Sequence, residues 1–465
     1  MKDIYKRDID GHPLSKQSLM MGYGYDPRLS EGAVKPPVFL TSTFVFPDAQ
    51  AGAHFFDQTA GRVPLDQGQE SAGLVYSRFN HPNMEIFERR FALYDGGESA
   101  AAFSSGMAAI SASLWALCRP GDVVVHSMPL YGGTETLLRR LLSQWGIKLV
   151  ELPHNASLDA MQRCLTEAAK LGRVAMVYVE SPSNPTNDLI DFEIVHRAVH
   201  LHAAKALVRP LIVCDNTMLG PVFCQPCTHG VDLCVYSLTK YVGGHSDLVA
   251  GAVAGVKSIV DQVRGVRSAT GSQLDPHTCW MLARSLETLE LRMRYAADSA
   301  SKIAHWLAAN PALVSKVNHP DLITDKHLLH TYHRFCSGAG STFSFVVPGG
   351  RDAAFRVIDA LQLMKSAVSL GGTETLICHP ASTTHSGVTP AMRQRFGVDE
   401  GLVRLSVGLE HPDDLMADLR QALGVKGQVS PLSSPASAAR INRLTCATES
   451  PQSAASPGIV FQPAR

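Results

Sequence analysis

The chain has 465 residues, 45% hydrophobic and 18% charged, a profile that excludes a disordered protein and calls for two domains or more. Lys plus Arg and Asp plus Glu both number 42, so the formal charge is zero. That balance points to neither nucleic acid, nor a membrane surface, nor a strongly charged partner.

The opening residues Met1-Lys2-Asp3-Ile4-Tyr5-Lys6-Arg7-Asp8 carry mixed charges and no apolar stretch, unlike a secretory signal. Nowhere does the sequence offer the run of about 18 apolar residues that a membrane helix needs. Ten cysteines lie without framework spacing, which fits free thiols and an expected cytoplasmic location. Cys224-Gln225-Pro226-Cys227 has redox or half-zinc spacing, but no second such pair follows, and no metal is assigned.

Residues 1–65 read as an arm, broken by Pro36-Pro37, Thr41-Ser42-Thr43 and the mixed stretch around Gly52. Gly61 to Gly73 is polar and reads as an exposed loop inserted near the entrance of a site. Residues 66–288 then alternate helical spacing (Asn83 to Leu93, Ala108 to Leu117) with short apolar runs. These runs are Val123 to Val125, Lys148 to Val150, Val174 to Val179, Leu211 to Cys214 and Val231 to Tyr236. The pattern predicts an α/β domain with a mainly parallel sheet covered on both faces, whose ligands bind beyond the carboxyl ends of the strands. Residues 289–424 read as a smaller C-terminal α+β domain. It is entered by a long helix from Leu282 through Trp306, with strands at Ser341 to Val347 and Leu402 to Val407 and a closing helix from Asp413 to Leu423. Residues 425–465, rich in Ser, Pro and Ala, are expected to be disordered.

Three fragments carry chemistry. In Tyr236-Ser237-Leu238-Thr239-Lys240-Tyr241 an apolar strand delivers two hydroxyls and a lysine at its carboxyl end. An apolar setting depresses a lysine pKa and makes the amine a nucleophile and base, although a solvated lysine at a strand end has the same local pattern. In Val213-Cys214-Asp215-Asn216-Thr217 an aspartate closes a strand, where it could hold a cofactor's ring nitrogen protonated or merely form an Asx turn or helix cap. In Ser104-Ser105-Gly106-Met107-Ala108 small residues open a helix, as a phosphate site or a plain N-cap requires. Each fragment is weak; in this order they meet the needs of a cofactor held as a Schiff base.

The chain resembles the Cys/Met-metabolism (trans-sulfuration) family of fold-type I pyridoxal-phosphate enzymes over about residues 20–424. Within that family it looks closest to methionine γ-lyase and cystathionine γ-synthase-like members. The likeness rests on Tyr76-Ser77-Arg78, Ser105-Gly106-Met107-Ala108-Ala109, Pro120-Gly121-Asp122 and Tyr131-Gly132-Gly133-Thr134. It continues through Glu180-Ser181-Pro182-Ser183-Asn184-Pro185, Asp215-Asn216-Thr217, Ser237-Leu238-Thr239-Lys240-Tyr241, Gly244-His245-Ser246-Asp247 and Val403-Arg404-Leu405-Ser406-Val407-Gly408.

The resemblance implies a fold-type I architecture, with a large sheet of seven-stranded type, and a role for each matching position. Lys240 would carry pyridoxal 5'-phosphate and move the substrate's protons. Asp215 would pair with the ring nitrogen. Gly106, Met107, Ser237 and Thr239 would hold the phosphate. Tyr131 would stack on the ring and assist as acid or base, and Asn184 would reach the phenolic oxygen. Arg404, with Ser369, would clamp the substrate carboxylate. Tyr76 and Arg78 would reach a neighbouring subunit's phosphate. The arm would contact that subunit, which implies a homodimer with shared sites and a tetramer built from dimers.

Three positions bear on the reaction. Val368 stands where cystathionine-handling members carry Glu, and it offers no partner to a distal ammonium. Gly133 stands where methionine γ-lyases have Cys, and Arg267-Ser268 replaces their Lys-Asp pair. By contrast, Gly22 to Pro27 and Thr43 to Pro47 resemble methionine γ-lyase, and His379 to Ser386 resembles O-acetylhomoserine sulfhydrylases at least as well. The expected reaction is γ-elimination on methionine-like thioethers, giving 2-oxobutyrate, ammonia and a thiol. γ-Replacement on an O-acylhomoserine is the alternative. A non-catalytic nucleotide-binding α/β protein would need a glycine-rich fingerprint after its first strand, whereas Pro120-Gly121-Asp122 precedes the strand.

Overall fold

A computed structural model describes residues 4–66, 73–153, 155–204 and 208–425. The tail from 426 onward and positions 67–72 of the polar loop lie outside the described residues. Seven strands form the larger sheet: β1 (Ser99–Phe103), β2 (Val123–His126), β3 (Lys148–Glu151), β4 (Val174–Glu180), β5 (Leu211–Asp215), β6 (Leu233–Ser237) and β7 (Gly251–Gly255). Their order is β1-β7-β6-β5-β4-β2-β3. Strands β2 to β6 run parallel, and β7 lies antiparallel to both β6 and β1.

Alternation along the strands sorts their side chains into two cores. Val123, Val125, Val177, Val179, Ile212 and Cys214 face the helices Pro82–Asp95, Leu158–Leu171, Phe192–Ala203 and Pro276–Leu286. Val124, Met176, Tyr178, Val213 and Val235 face the helices Gly106–Leu117 and Lys257–Thr270. Every residue of β4 is buried, which is why Val174 to Val179 reads as one continuous apolar run.

Strand β1 is a sheet edge, and its outward backbone groups are capped by ions. Ala102 N donates to Glu88 Oε1 (2.8 Å), Arg267 Nη1 donates to Ala102 O (2.9 Å), and Arg264 Nη2 donates to Ala100 O (2.7 Å). Arg267 also reaches Phe79 O (3.1 Å) and Glu88 Oε1 (2.5 Å), so the edge, the helix Pro82–Asp95 and the helix Lys257–Thr270 share one polar knot.

The smaller C-terminal domain has its own sheet, β8 (Lys316–Asn318), β9 (Thr342–Val346), β10 (Lys365–Ser366), β11 (Leu376–Cys378) and β12 (Leu402–Ser406), in the order β8-β9-β12-β11-β10. Phe343, Phe345, Ile377, Val403 and Leu405 pack against Ile303, Leu307, Val357, Leu415 and Leu419.

Two expectations need correction. The single helix expected from Leu282 through Trp306 is two helices, Pro276–Leu286 and Leu289–Ala308. Thr288, at φ −115° and ψ 4°, breaks the run, and the Arg292 guanidinium braces the corner by donating to Ser285 O (3.1 Å) and Tyr241 O (2.9 Å). Apolar spacing continues in phase across Leu286 and Leu289, so periodicity does not mark the break. The arm also holds more structure than its turn residues suggest, with helices at Lys16–Gly22 and Ala49–Thr59. No helix among the described residues is long and apolar enough to cross a membrane.

Candidate active site

Because β4, β5 and β6 are parallel neighbours, their last residues, Glu180, Asp215 and Ser237, come to one edge of the sheet. There they line a cavity of about 630 Å³. Gly106, Met107, Tyr131, Asn184, Thr239, Lys240, Val368, Ser369 and Arg404 line it as well, so eleven of the thirteen site residues expected from sequence meet in one place. Tyr76 and Arg78 do not: Tyr76 is exposed, and the Arg78 guanidinium lies 4.5 Å from the Phe79 ring centroid and bonds Ser268 O.

Lys240 follows β6 on a turn whose amide donates to Ser237 O (3.2 Å). Its Nζ donates to Ser369 Oγ (3.0 Å). Burial, with the Arg404 charge nearby, lowers the ammonium to about 8, so a useful fraction of the amine is free near neutrality.

The helix Gly106–Leu117 points its N-terminus into the cavity. Ser105 caps it, accepting from Ala108 N at Oγ (3.0 Å) and from Ala109 N at its carbonyl (3.1 Å). The amides of Gly106 and Met107 are then the first-turn donors left for an anion. A side chain at Gly106 would strike Ser237, since its Cβ would lie 2.9 Å from the Ser237 Cβ. The cradle therefore requires glycine.

Asp215 is buried, and burial raises its carboxyl above the ordinary range. Thr217 N donates to its Oδ1 (3.0 Å). A carboxylate placed this way suits a cationic ring nitrogen, and with the Gly106 cradle and a low-pKa lysine the residues present fit pyridoxal phosphate.

Glu180 lies within one of the matching sequence segments but carries no expected role there. The structure gives it one. Tyr131 N donates to its Oε2 (2.7 Å) and Asn184 N to its Oε1 (2.8 Å), so this one carboxyl fixes the backbone of both residues expected beside the ring. Burial, and then Asp215 beside it, push Glu180 up to about 8. Its place at the end of a strand, like that of Asp215, was the available signal.

Arg404 on β12 is buried. Its Nη1 donates to Asn184 Oδ1 (3.1 Å) and its Nη2 to Ser369 O (2.7 Å), while Nε has no partner among the described residues. Ser369 sits at φ +88°, a left-handed conformation costly for a residue other than glycine, and the Arg404 contact helps hold it. A desolvated guanidinium with an unused donor is a carboxylate site.

A family model described as Cys/Met metabolism PLP-dependent enzyme matches residues 17–424. An L-methionine gamma-lyase of Pseudomonas putida is 40% identical over 403 residues, covering 86% of this chain and 95% of the relative. An O-succinylhomoserine sulfhydrylase of Pseudomonas aeruginosa is 37% identical over 397 residues, covering 85% and 92%. The crystal structure of cystathionine gamma synthase from Xanthomonas oryzae pv. oryzae, in complex with aminoacrylate and cysteine, superposes with a TM-score of 0.77 at 31% identity. It covers 89% of this chain and 98% of that one.

Proposed function

The chain belongs to the Cys/Met metabolism PLP-dependent enzymes, and from that premise we propose that it eliminates the γ-substituent of methionine-like thioethers, yielding a thiol, 2-oxobutyrate and ammonia. The observation that carries this reading is Val368. It lines the cavity beside Ser369 and Lys240, on the wall where a substrate's distal end would lie, and an apolar side chain there suits an uncharged thioether rather than a second ammonium.

Bound pyridoxal phosphate supplies an electron sink that makes the α- and then the β-proton of an amino acid acidic. Lys240 Nζ, depressed by burial, takes those protons and returns them, with Ser369 Oγ steering it. Arg404 fixes the substrate carboxylate. Asp215 would hold its negative charge against the ring nitrogen of the bound cofactor, and Tyr131 would cover the ring face. Glu180 keeps Tyr131 and Asn184 in place. Cofactor uptake requires an unprotonated lysine. The rate at which cofactor-free protein captures added pyridoxal phosphate should therefore climb with pH through a midpoint near 8, read by absorbance. A rate that still rises about tenfold per pH unit through pH 9, with no midpoint, contradicts a depressed Lys240.

Glu180→Gln keeps the volume but removes one acceptor, leaving a buried N–H facing an amide NH₂ at a cost of about 1–3 kcal/mol. We expect about tenfold weaker cofactor retention, measured by equilibrium dialysis, with the fold intact by circular dichroism.

γ-Replacement on an O-acylhomoserine is the second reading, and Gly133 favours it. A Cβ there would lie 2.5 Å from Tyr131 Cε1 and 2.9 Å from Met107 Sδ. The Tyr131 ring thus occupies space that a cysteine would take. Incubating the enzyme with L-methionine and no added thiol separates the two. Released 2-oxobutyrate supports elimination. Its absence, alongside thioether synthesis from an O-acylhomoserine and a thiol, overturns it.

A homodimer with shared sites, paired again into a tetramer, and a cytoplasmic location belong to the same proposal. Support comes from Tyr76, exposed and away from its own cavity, and from the exposed apolar Leu29, Val34, Leu40 and Val45 of the arm.

A further inference from the structure

Beneath the opposite face of β6, three donors from separate elements converge: Asp95 at the end of the helix Pro82–Asp95, Cys227 on a short turn of helix, and Cys234 within β6. Their ligand atoms lie within 4.8 Å of one another, and the two sulfurs are 3.2 Å apart. The Cys224-x-x-Cys227 spacing is not the pair that forms; the Cys224 backbone instead pairs with that of Cys336 in an isolated antiparallel β-bridge, and both thiols are free.

Asp95 is fully buried, and its carboxyl interacts with the Cys227 thiol. Its Oδ1 accepts from the Tyr236 hydroxyl, which accepts in turn from Asn216 Nδ2 (2.9 Å). A buried carboxylate oriented at one oxygen by Tyr236, beside two thiols whose protons a cation would displace, is the arrangement of a metal ligand with its outer shell already built.

We propose that Asp95, Cys227 and Cys234 bind a soft divalent cation of the zinc class, with the fourth position left to water. Two thiolates and a carboxylate match the donor preference of zinc, and three protein ligands leave an open position. Zinc–sulfur bonds of about 2.3 Å put tetrahedral sulfurs about 3.8 Å apart. The pair must therefore open by about half an ångström from its present 3.2 Å while the carboxylate closes in, changes on the scale of side-chain torsions. Three negative ligands on a dication leave one negative charge. Lys16, whose Nζ donates to Tyr94 O (2.7 Å) and which attracts Asp95 electrostatically, is placed to balance it. Tyr94 and Thr228, the chain neighbours of Asp95 and Cys227, line a second cavity of about 510 Å³.

Because Asn216 follows Asp215 and Tyr236 precedes Ser237, the cation would stiffen the ends of β5 and β6 from below. No bond in the proposed reaction depends on it.

The test uses the holoenzyme, treated with a chelator and reductant, then dialysed against zinc sulfate and analysed for bound metal. We expect one zinc per chain, a raised thermal midpoint, and visible d–d absorption when cobalt(II) replaces zinc. Cys227→Ser with Cys234→Ser should lose the ion. The near-isosteric Asp95→Asn, which keeps an acceptor for Tyr236, should weaken it at least tenfold in competition with a chromophoric chelator. Cys336→Ser should leave the stoichiometry unchanged. Zinc content equal in wild type and the double variant overturns the site. So does a reduced wild-type chain that takes up no zinc on dialysis.

Discussion

Lys240→Ala should lower 2-oxobutyrate release from methionine by on the order of 10⁴-fold or more, while shifting the thermal midpoint by only a few degrees. The large effect follows from placement. Among the described residues Nζ is the one cavity-lining amine, it bonds Ser369 Oγ (3.0 Å), and burial holds it at about 8, where it can both take and give a proton. The small stability cost follows because the removed ammonium was itself penalised by burial, so its loss relieves as well as disrupts. Lys240→Arg should be equally inactive despite keeping the charge, since a guanidinium does not deprotonate near neutrality. Both variants should still bind pyridoxal phosphate through Gly106, Met107, Ser237 and Thr239, but lose it on dialysis. Activity within tenfold of wild type would remove Lys240 from the chemistry.

The second large effect is on folding. Arg267→Met should cost about 3–5 kcal/mol, seen as a lower midpoint in urea, because it leaves the buried Glu88 carboxylate without its closest cation. Ala102 and Phe79 would also lose the donor to their carbonyls at the sheet edge. Burial pushes Glu88 up, and Arg267 with Arg264 overcomes it, leaving the carboxyl below its ordinary value. A carboxyl depressed in the folded state contributes stability above its unfolded pKa, and that contribution disappears as pH falls through the folded value. The gap between wild type and Arg267→Met should therefore narrow in acid. Glu88→Leu combined with Arg267→Met should recover part of the loss; a double variant no better than the single one would locate the effect elsewhere.

The parts legible in the sequence share a cause. Val174 to Val179 and Leu211 to Cys214 are β-branched or apolar runs at the sheet's centre, and the residues that follow such runs reach the cavity edge, where Asp215 lies and where Lys240 follows β6. Strands β1 and β7 escaped notice because Ala100-Ala101-Ala102 and Gly251-Ala252-Val253-Ala254-Gly255 carry little β-propensity. Close packing selects those small residues: a Cβ on Gly251 would lie 2.2 Å from Ser105 O. The very short β8, β10 and β11 are held by pairing in the five-stranded sheet, not by local pattern. Arg267 read only as a departure from the methionine γ-lyase Lys-Asp pair, and nothing local announces that it closes a sheet edge. Glu180 was visible as a residue; its two amide contacts exist only once Tyr131 and Asn184 are brought to it.

Lys240, Asp215, Ser237 and the Gly106 cradle issue from the seven-stranded sheet and its helix, while Val368, Ser369 and Arg404 issue from the five-stranded one. The smaller sheet thus carries both a support common to every reaction of this kind, Arg404, and a wall that bears on the choice of substrate, Val368. A lineage can exchange one leaving group for another by drifting at positions such as Val368 and Gly133, which leaves the contacts of the lysine in place. A single chain can therefore stand at 40% identity to a lyase and 37% to a sulfhydrylase at once.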